Sequence, residues 1–176
     1  MTRTMPALAR SILLVLALSA TAACQEPPAL DGPHRPFHDD LLDHMVGSWK
    51  LTGTIMGRPA HHDLDAAWVL NHQFLRMHQS GPPDYEAMVF VGYDNASERY
   101  VAHWLDVYGG RFSETLGYGA RTGNSIRFVF EYPDGPFRNT FAWKPEAQSW
   151  QFILESKNKQ GHWVNFAVED LARAER

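Results

Sequence analysis

The stretch IRFVFEYPDGPFRNTFAWKPEAQSWQFILESK, residues 126–157, decides the fold, because apolar and polar side chains alternate along three successive segments of it. One row of this alternation is mostly aromatic and consists of Ile126, Phe128, Phe130, Tyr132, Phe137, Asn139, Phe141, Trp143, Trp150, Phe152, Leu154 and Ser156. Successive side chains of a β-strand point to opposite faces of the sheet. The stretch therefore predicts three antiparallel strands that share one buried, aromatic face.

The same period of two extends outward from this stretch over most of the chain. The predicted strands are 48–56, 61–70, 73–80, 85–93, 98–108, 111–121, 124–132, 137–144, 149–157 and 162–170. Short segments rich in Gly, Pro, Asn and Asp separate them, which favours antiparallel pairing of neighbours in sequence order. Ten such strands leave two unpaired edges unless the first pairs with the last. We therefore predict an all-β fold, a closed antiparallel up-and-down barrel, preceded by a short helix within residues 37–46.

Composition narrows the possible functions. The chain has 176 residues, 44% of them hydrophobic, which suffices for one well-packed domain, and we assign the barrel to residues 37–176. The formal net charge is -4 and there is no basic run, so binding to nucleic acid is not expected. A single cysteine excludes an intramolecular disulfide and a multi-cysteine metal site.

The N-terminus has the three parts of a secretory signal peptide, predicted over residues 1–23. Arg3 and Arg10 precede the apolar run 12–18, and small residues follow it. The apolar run is too short to span a bilayer, so no transmembrane helix is predicted.

Cys24 lies directly after this segment and resembles the acylated cysteine of a bacterial lipoprotein, although Thr21 stands where such proteins usually have an aliphatic residue. Ordinary cleavage after an Ala-x-Ala site, leaving a free thiol, is the alternative. Residues 24–36 contain four prolines and are predicted to be a semi-rigid tether. By the same resemblance, Gln25 after the cysteine implies a periplasmic protein held at the outer membrane by a lipid anchor.

The segment 45–51, Met-Val-Gly-Ser-Trp-Lys-Leu, places a Gly-x-Trp motif, Gly47 to Trp49, at the start of the first strand. This motif resembles the opening signature of the lipocalin and calycin superfamily, in which the tryptophan closes one end of the barrel. The resemblance implies the same position for Trp49.

Three further segments, 68–75, 85–94 and 100–106, follow the motif in an order and spacing similar to a bacterial family of lipocalin-like barrels, domain-of-unknown-function family 1579. The resemblance covers about residues 41–170. Asn71 and His72 depart from the glycine-containing turn that is more usual in the family. The family is distantly similar to the haem-binding nitrobindins and implies a fold without an established activity.

A ten-stranded barrel has room for a small ligand among its interior side chains. We therefore expect an envelope protein that binds a small apolar or amphipathic molecule. The candidate ligand-binding residues are Trp49, His103, Trp104, Asp106, Glu114, Arg127, Phe128, Phe141 and Trp143. Which face of strand 98–108 points inward stays open, because His103 lies in one row and Trp104 and Asp106 lie in the other. If Asp106 is internal, it could pair with Arg127.

Two other functions are considered. An enzyme would use acid–base chemistry with His103, Asp106 or Glu114 inside the barrel, and a barrel filled by its own side chains would act as an envelope interaction module. We expect no cofactor: nitrobindins place their axial histidine near the end of the barrel, and residues 163–170 contain none. We also expect no metal site, since a solvated strand face explains the row formed by His61, Asp63 and Asp65.

Overall fold

The structure, a computed structural model, describes residues 36–175. The strands are β1 (Gly47–Ile55), β2 (Arg58–Val69), β3 (Phe74–Gly81), β4 (Tyr85–Asp94), β5 (Arg99–Asp106), β6 (Gly117–Thr122), β7 (Ser125–Tyr132), β8 (Gly135–Lys144), β9 (Ser149–Lys157) and β10 (Trp163–Arg173). The described residues also form two one-turn helices, α1 (Asp40–Asp43) and α2 (Gly110–Ser113). Neither helix in this part of the chain has the length and apolar character that crossing a bilayer requires. The predicted signal peptide, Cys24 and the tether up to residue 35 lie outside the described residues.

The ten strands form a closed antiparallel barrel. Each strand pairs with the next in sequence, and β1 also pairs with β10, from Trp49 opposite Arg173 to Ile55 opposite Ala167. The ladder between β1 and β10 pairs the backbone N–H and C=O groups that an open sheet would leave unpaired at its two edges. The predicted all-β, up-and-down barrel is confirmed.

The sixth predicted strand begins too early. Residues 110–113 form α2, and β6 begins at Gly117. The chain turns at Gly109, whose φ of 83° is a conformation that glycine adopts readily. The extended pattern predicted from residue 111 onward is therefore interrupted by a helical turn that packs outside β5.

The predicted N-terminal helix is shorter than residues 37–46. It begins after Asp39, whose carboxylate accepts a hydrogen bond from the Leu42 amide at 2.9 Å. Leu41, Leu42 and Met45 are all buried, so the apolar spacing correctly marks the residues that cover the barrel end, although the regular helix is a single turn.

Polar contacts hold α1 over this end of the barrel, which we call the closed end. The Tyr100 hydroxyl in β5 donates to the Asp39 carboxylate. Arg121 in β6 forms an ion pair with Asp40 at 2.5 Å. Three separate elements are thus joined at the closed end.

The half of the barrel nearest α1 is filled by aromatic side chains. Phe128, Phe141, Phe152 and Trp150 are each at most 1% exposed, and the Phe141 and Phe152 ring centroids are 4.3 Å apart. Gly119 in β6 makes room for this packing, since a Cβ there would lie 2.9 Å from the Phe128 ring. A ligand inside this half would have to displace core side chains.

Candidate functional site

The other end of the barrel is bordered by inward-facing side chains that are only partly buried. We call this group the mouth; it consists of Tyr85, Trp104, Asp106, Tyr132, Phe137 and Leu154. Their inward orientation follows from strand alternation: Trp104 and Asp106 share a row with Ala102, which is 1% exposed. Side chains of this row become partly exposed only here, so the mouth is the solvent-facing end of the row.

Four polar side chains in inward-facing rows are buried, and we call them the polar floor. It consists of His62, Gln79, Asn139 and Glu169, none of which is more than 8% exposed. Polar groups this deeply buried are costly unless they have hydrogen-bond partners. Their partners therefore indicate what the interior accommodates.

His62 and Glu169 form a buried hydrogen-bonded pair across the first strand. Nδ1 of His62 lies 2.7 Å from Oε1 of Glu169, and the two side chains are 6% and 3% exposed. They come from β2 and β10, the two neighbours of β1, and Gly53 of β1 stands opposite Glu169. Since Gly53 has no side chain, the histidine and the glutamate can meet over it.

The imidazole of His62 is also packed from the mouth side. Its ring centroid lies 5.2 Å from that of Tyr85. Gly81, at the end of β3, leaves space for the imidazole, because a Cβ there would lie 2.0 Å from His62 Cδ2. The orientation of His62 is therefore determined by packing as well as by Glu169.

Asn139 leaves one acceptor of the polar floor unsatisfied. Its Oδ1 is buried and has no hydrogen-bond partner within the described part of the chain. A buried carbonyl oxygen without a donor is uncommon in folded proteins, because the missing hydrogen bond costs free energy.

The electrostatics of the mouth centre on Asp106. Burial raises the pKa of Asp106 above its ordinary value, while a hydrogen bond from the Tyr108 amide and an interaction with Trp104 act in the opposite direction. Burial, followed by the charge of Asp106, raises the pKa of Tyr132 to about 12. The same two causes raise the pKa of Tyr85. Both phenols are therefore protonated at neutral pH and can donate hydrogen bonds to a ligand.

Six of the nine candidate residues point into the barrel. Trp49, Phe128, Phe141 and Trp143 belong to the buried closed half. Trp104 and Asp106 belong to the mouth and settle the orientation of β5, which the sequence left open.

The structure does not bring the other three candidates into the interior. His103 faces outward beneath α2 and donates through Nε2 to the Ser113 carbonyl oxygen at 2.7 Å. Glu114 is exposed at the end of α2, and Arg127 is exposed on the outer face of β7, where its Nε lies 3.3 Å from Thr140 Oγ1. The possible pairing of Arg127 with an internal Asp106 does not form, because alternation puts the two side chains on opposite faces of the barrel wall.

His62 and Glu169 were not among the predicted site residues, although both lie in buried rows. His62 lies in the same row as Leu64 and Ala66, and Glu169 lies in the same row as Ala167 and Leu171. A polar residue within an apolar row was thus a signal available in the sequence. Their pairing was not available, because it depends on closure of the barrel.

A cleft lies along β1, β2 and the end of β3. Its volume is about 650 Å³, and it is lined by Lys50, Leu51, Thr52, His61, His62, Asp63, Ser80, Gly81, Pro82 and Pro83. The row formed by His61, Asp63 and Asp65 is exposed on this side. Within residues 36–175, no group of three His, Cys, Asp or Glu side chains is arranged to hold a metal ion.

Comparison with curated proteins finds no match. A family model described as protein of unknown function (DUF1579) matches residues 36–173, which covers the whole barrel with α1. This span agrees with the closed ten-stranded architecture and with the resemblance carried by Gly47 and Trp49. The chain belongs to the DUF1579 family of proteins of unknown function.

Proposed function

We propose that this protein is an envelope-tethered barrel that binds a small apolar or amphipathic molecule at its mouth. The observation that carries the proposal is the contrast between the two halves of the interior. The closed half is packed with rings, whereas the mouth exposes aromatic side chains, and the interior also contains the buried polar floor. Binding sites for small molecules typically combine an apolar lining with a few oriented polar groups.

The contacts at the mouth suggest how such a molecule would be held. Tyr132 and Phe137 pack edge to face with ring centroids 6.5 Å apart, and Phe137 packs against Phe166 at 5.3 Å. This aromatic wall supplies apolar contact area for the ligand. The unsatisfied Oδ1 of Asn139 and the Tyr85 hydroxyl supply orientation.

The proposed tethering rests on the N-terminal sequence. The apolar run 12–18 favours export, and Cys24 at its end favours acylation. The partners in this proposal are the small molecule and, through the lipid, the membrane. The location is the periplasmic side of the outer membrane.

Native mass spectrometry of the exported protein, followed by organic extraction, tests the binding function. We expect a stoichiometric adduct that the Trp104→Ala variant loses. Trp163→Ala is the matched control, because Trp163 begins β10 near the same end but packs outside against Arg138, with the guanidinium carbon 4.3 Å from the ring centroid. A bare mass for the wild type, together with no binding of added amphiphiles, would favour the filled-barrel interaction module instead.

Acid–base catalysis is a second candidate function, and the His62–Glu169 pair favours it. A carboxylate that orients a buried imidazole is a common arrangement for a general base. His62 and Glu169 take the place of His103 and Glu114 as catalytic candidates, because the latter two side chains lie outside the barrel. Chemical conversion of an extracted ligand by wild type but not by His62→Gln would support catalysis, and recovery of the ligand unchanged would contradict it.

A further inference from the structure

Asp106 is the last residue of β5 and points into the mouth. Two residues on, the Tyr108 amide donates to its Oδ1 at 3.0 Å, which keeps the carboxylate at the end of the strand. Ala87 stands opposite it in β4, two positions after Tyr85 in the same inward row. The carboxylate therefore lies at the level where the barrel opens.

Aromatic side chains from several elements share the mouth with this carboxylate. Tyr85 comes from β4, Trp104 from β5 and Tyr132 from β7, and all three are partly buried. The Tyr85 ring centroid is 6.3 Å from that of Tyr108, which is 70% exposed. Along its β6 edge, β5 is paired only from Tyr100 to Ala102. The end of β5 that carries Asp106 therefore has no strand partner on that edge. This leaves Asp106 accessible among aromatic groups.

Among residues 36–175, no lysine or arginine forms an ion pair with Asp106. The ion pairs that arginine and lysine form in the described part of the chain join them to Asp39, Asp40, Asp63, Asp65, Asp134, Glu155 and Asp170. Glu169, which faces the interior, is hydrogen-bonded to His62. The mouth therefore holds a partly buried carboxylate that has no cationic partner within the part of the chain that the structure describes.

We propose that the polar part of the ligand is an organic cation, an amine or quaternary ammonium group attached to an apolar chain, bound by Asp106 among Tyr85, Trp104 and Tyr132. This inference rests on the proposed binding function and specifies the class of ligand. The negative faces of aromatic rings attract organic cations, and a carboxylate supplies the opposite full charge. The apolar chain would contact Phe137 and Leu154.

Isothermal titration with three probes of equal chain length tests this inference on the purified protein: octyltrimethylammonium, 1-octanol and octanoate. We expect octyltrimethylammonium to bind about tenfold more tightly than 1-octanol, and octanoate to bind most weakly. Asp106→Asn should lower the affinity for the cation about tenfold and leave that for 1-octanol unchanged.

Two further variants separate the local effect of the mouth residues on binding from a general effect of substitution on the protein. Glu86→Gln makes the same change of charge on the outer face of β4, where the side chain is 62% exposed, and should leave all three affinities unchanged. Trp104→Leu should lower the affinity for octyltrimethylammonium more than the affinity for 1-octanol, because it removes an aromatic ring and keeps an apolar side chain. Circular dichroism confirms that each variant is folded.

The outcomes are distinct. Equal affinities for all three probes, or an unchanged preference in Asp106→Asn, would overturn the cationic class while leaving the binding function in place. Preference for octanoate would overturn it in the same way. Failure of every probe to bind would overturn both this inference and the proposed function.

Discussion

The guanidinium of Arg173 lies over the ring of Trp49, with Cζ 3.9 Å from the ring centroid. Arg173 ends β10 and Trp49 lies near the start of β1, so the contact joins the last strand to the first. The same guanidinium donates to the carbonyl oxygens of Val46 at 2.5 Å and His44 at 2.9 Å. On the inner side, the Trp49 indole N–H donates to the Met45 carbonyl oxygen at 2.7 Å. Trp49 thus links the pairing of β1 with β10 to the segment that covers the closed end.

Trp49→Ala should therefore destabilise the fold by about 3 to 5 kcal/mol, because it removes a buried ring and leaves a cavity. Urea unfolding measures the change. Trp163→Ala, at a partly exposed position on the outer wall, is the control and should cost less than about 1.5 kcal/mol. A loss below about 1 kcal/mol for Trp49→Ala would contradict the closing role of this residue.

Removing one member of the His62–Glu169 pair should be costly, since it leaves the other buried without its partner. We expect His62→Leu to lower the free energy of unfolding by roughly 3 kcal/mol, and the double variant with Glu169→Leu to cost less than the sum of the single changes. His78→Leu is the control: His78 pairs with Glu86 on the outer face, where its side chain is 37% exposed. Additive losses in the double variant would show that the two side chains are not coupled.

His103→Ala should leave ligand affinity unchanged, because the imidazole faces outward and its Nε2–H donates to the carbonyl oxygen of Ser113 in α2. We expect a stability loss of about 1 kcal/mol from the lost hydrogen bond. Titration of the same ligand into Trp104→Ala shows the effect of a residue that does line the mouth. A large loss of affinity in His103→Ala would mean that α2 and the mouth are linked more closely than this geometry indicates.

The stability of Asp106→Asn relative to wild type should depend on pH. Burial raises the folded-state pKa of Asp106 above its ordinary value of 3.8. The ionised carboxylate therefore destabilises the folded protein above the folded-state pKa, and this cost disappears below 3.8. Asp106→Asn should be more stable than wild type at neutral pH, and the difference should shrink as the pH falls. Chemical unfolding across this range measures it, and a difference that grows on acidification would contradict the assigned cause.

Cys24→Ser should release the protein from the membrane fraction into the soluble periplasmic fraction, because it removes the thiol that an acyl anchor requires. Fractionation with immunoblotting, together with metabolic labelling by a fatty acid, provides the measurement. Unchanged fractionation without label in the wild type would favour ordinary cleavage after an Ala-x-Ala site.

Much of the fold was predictable because its signals are local. The alternation through Phe128, Phe141 and Phe152 identified buried rows, and the turn residues separated the strands. The starts of the segments 37–46 and 111–121 were less predictable. In the first segment the capping aspartate Asp39 sets where the helix begins, and in the second the chain turns at Gly109 into α2. Both effects override the pattern of apolar spacing.

The candidate site was predictable only in part. Trp104 and Asp106 were identified as candidates, but both rows of β5 mix apolar and polar residues, so alternation alone did not show which row faces inward. Neither His62 nor Glu169 was among the predicted site residues, and the predicted solvated row contained only His61, Asp63 and Asp65. The sequence separation of these two residues, 107 positions, explains why no local pattern joins them.

The sequence by itself determined that this chain forms ten antiparallel strands with an aromatic core, because period-two alternation and turn residues act over a few positions at a time. The tertiary structure decided which polar groups meet inside the barrel. Closure of β1 against β10 brings Glu169 to His62 over Gly53, and the register of β4 and β5 places Asp106 beside Tyr85. Such contacts depend on the register of distant strands, which local side-chain preferences do not encode.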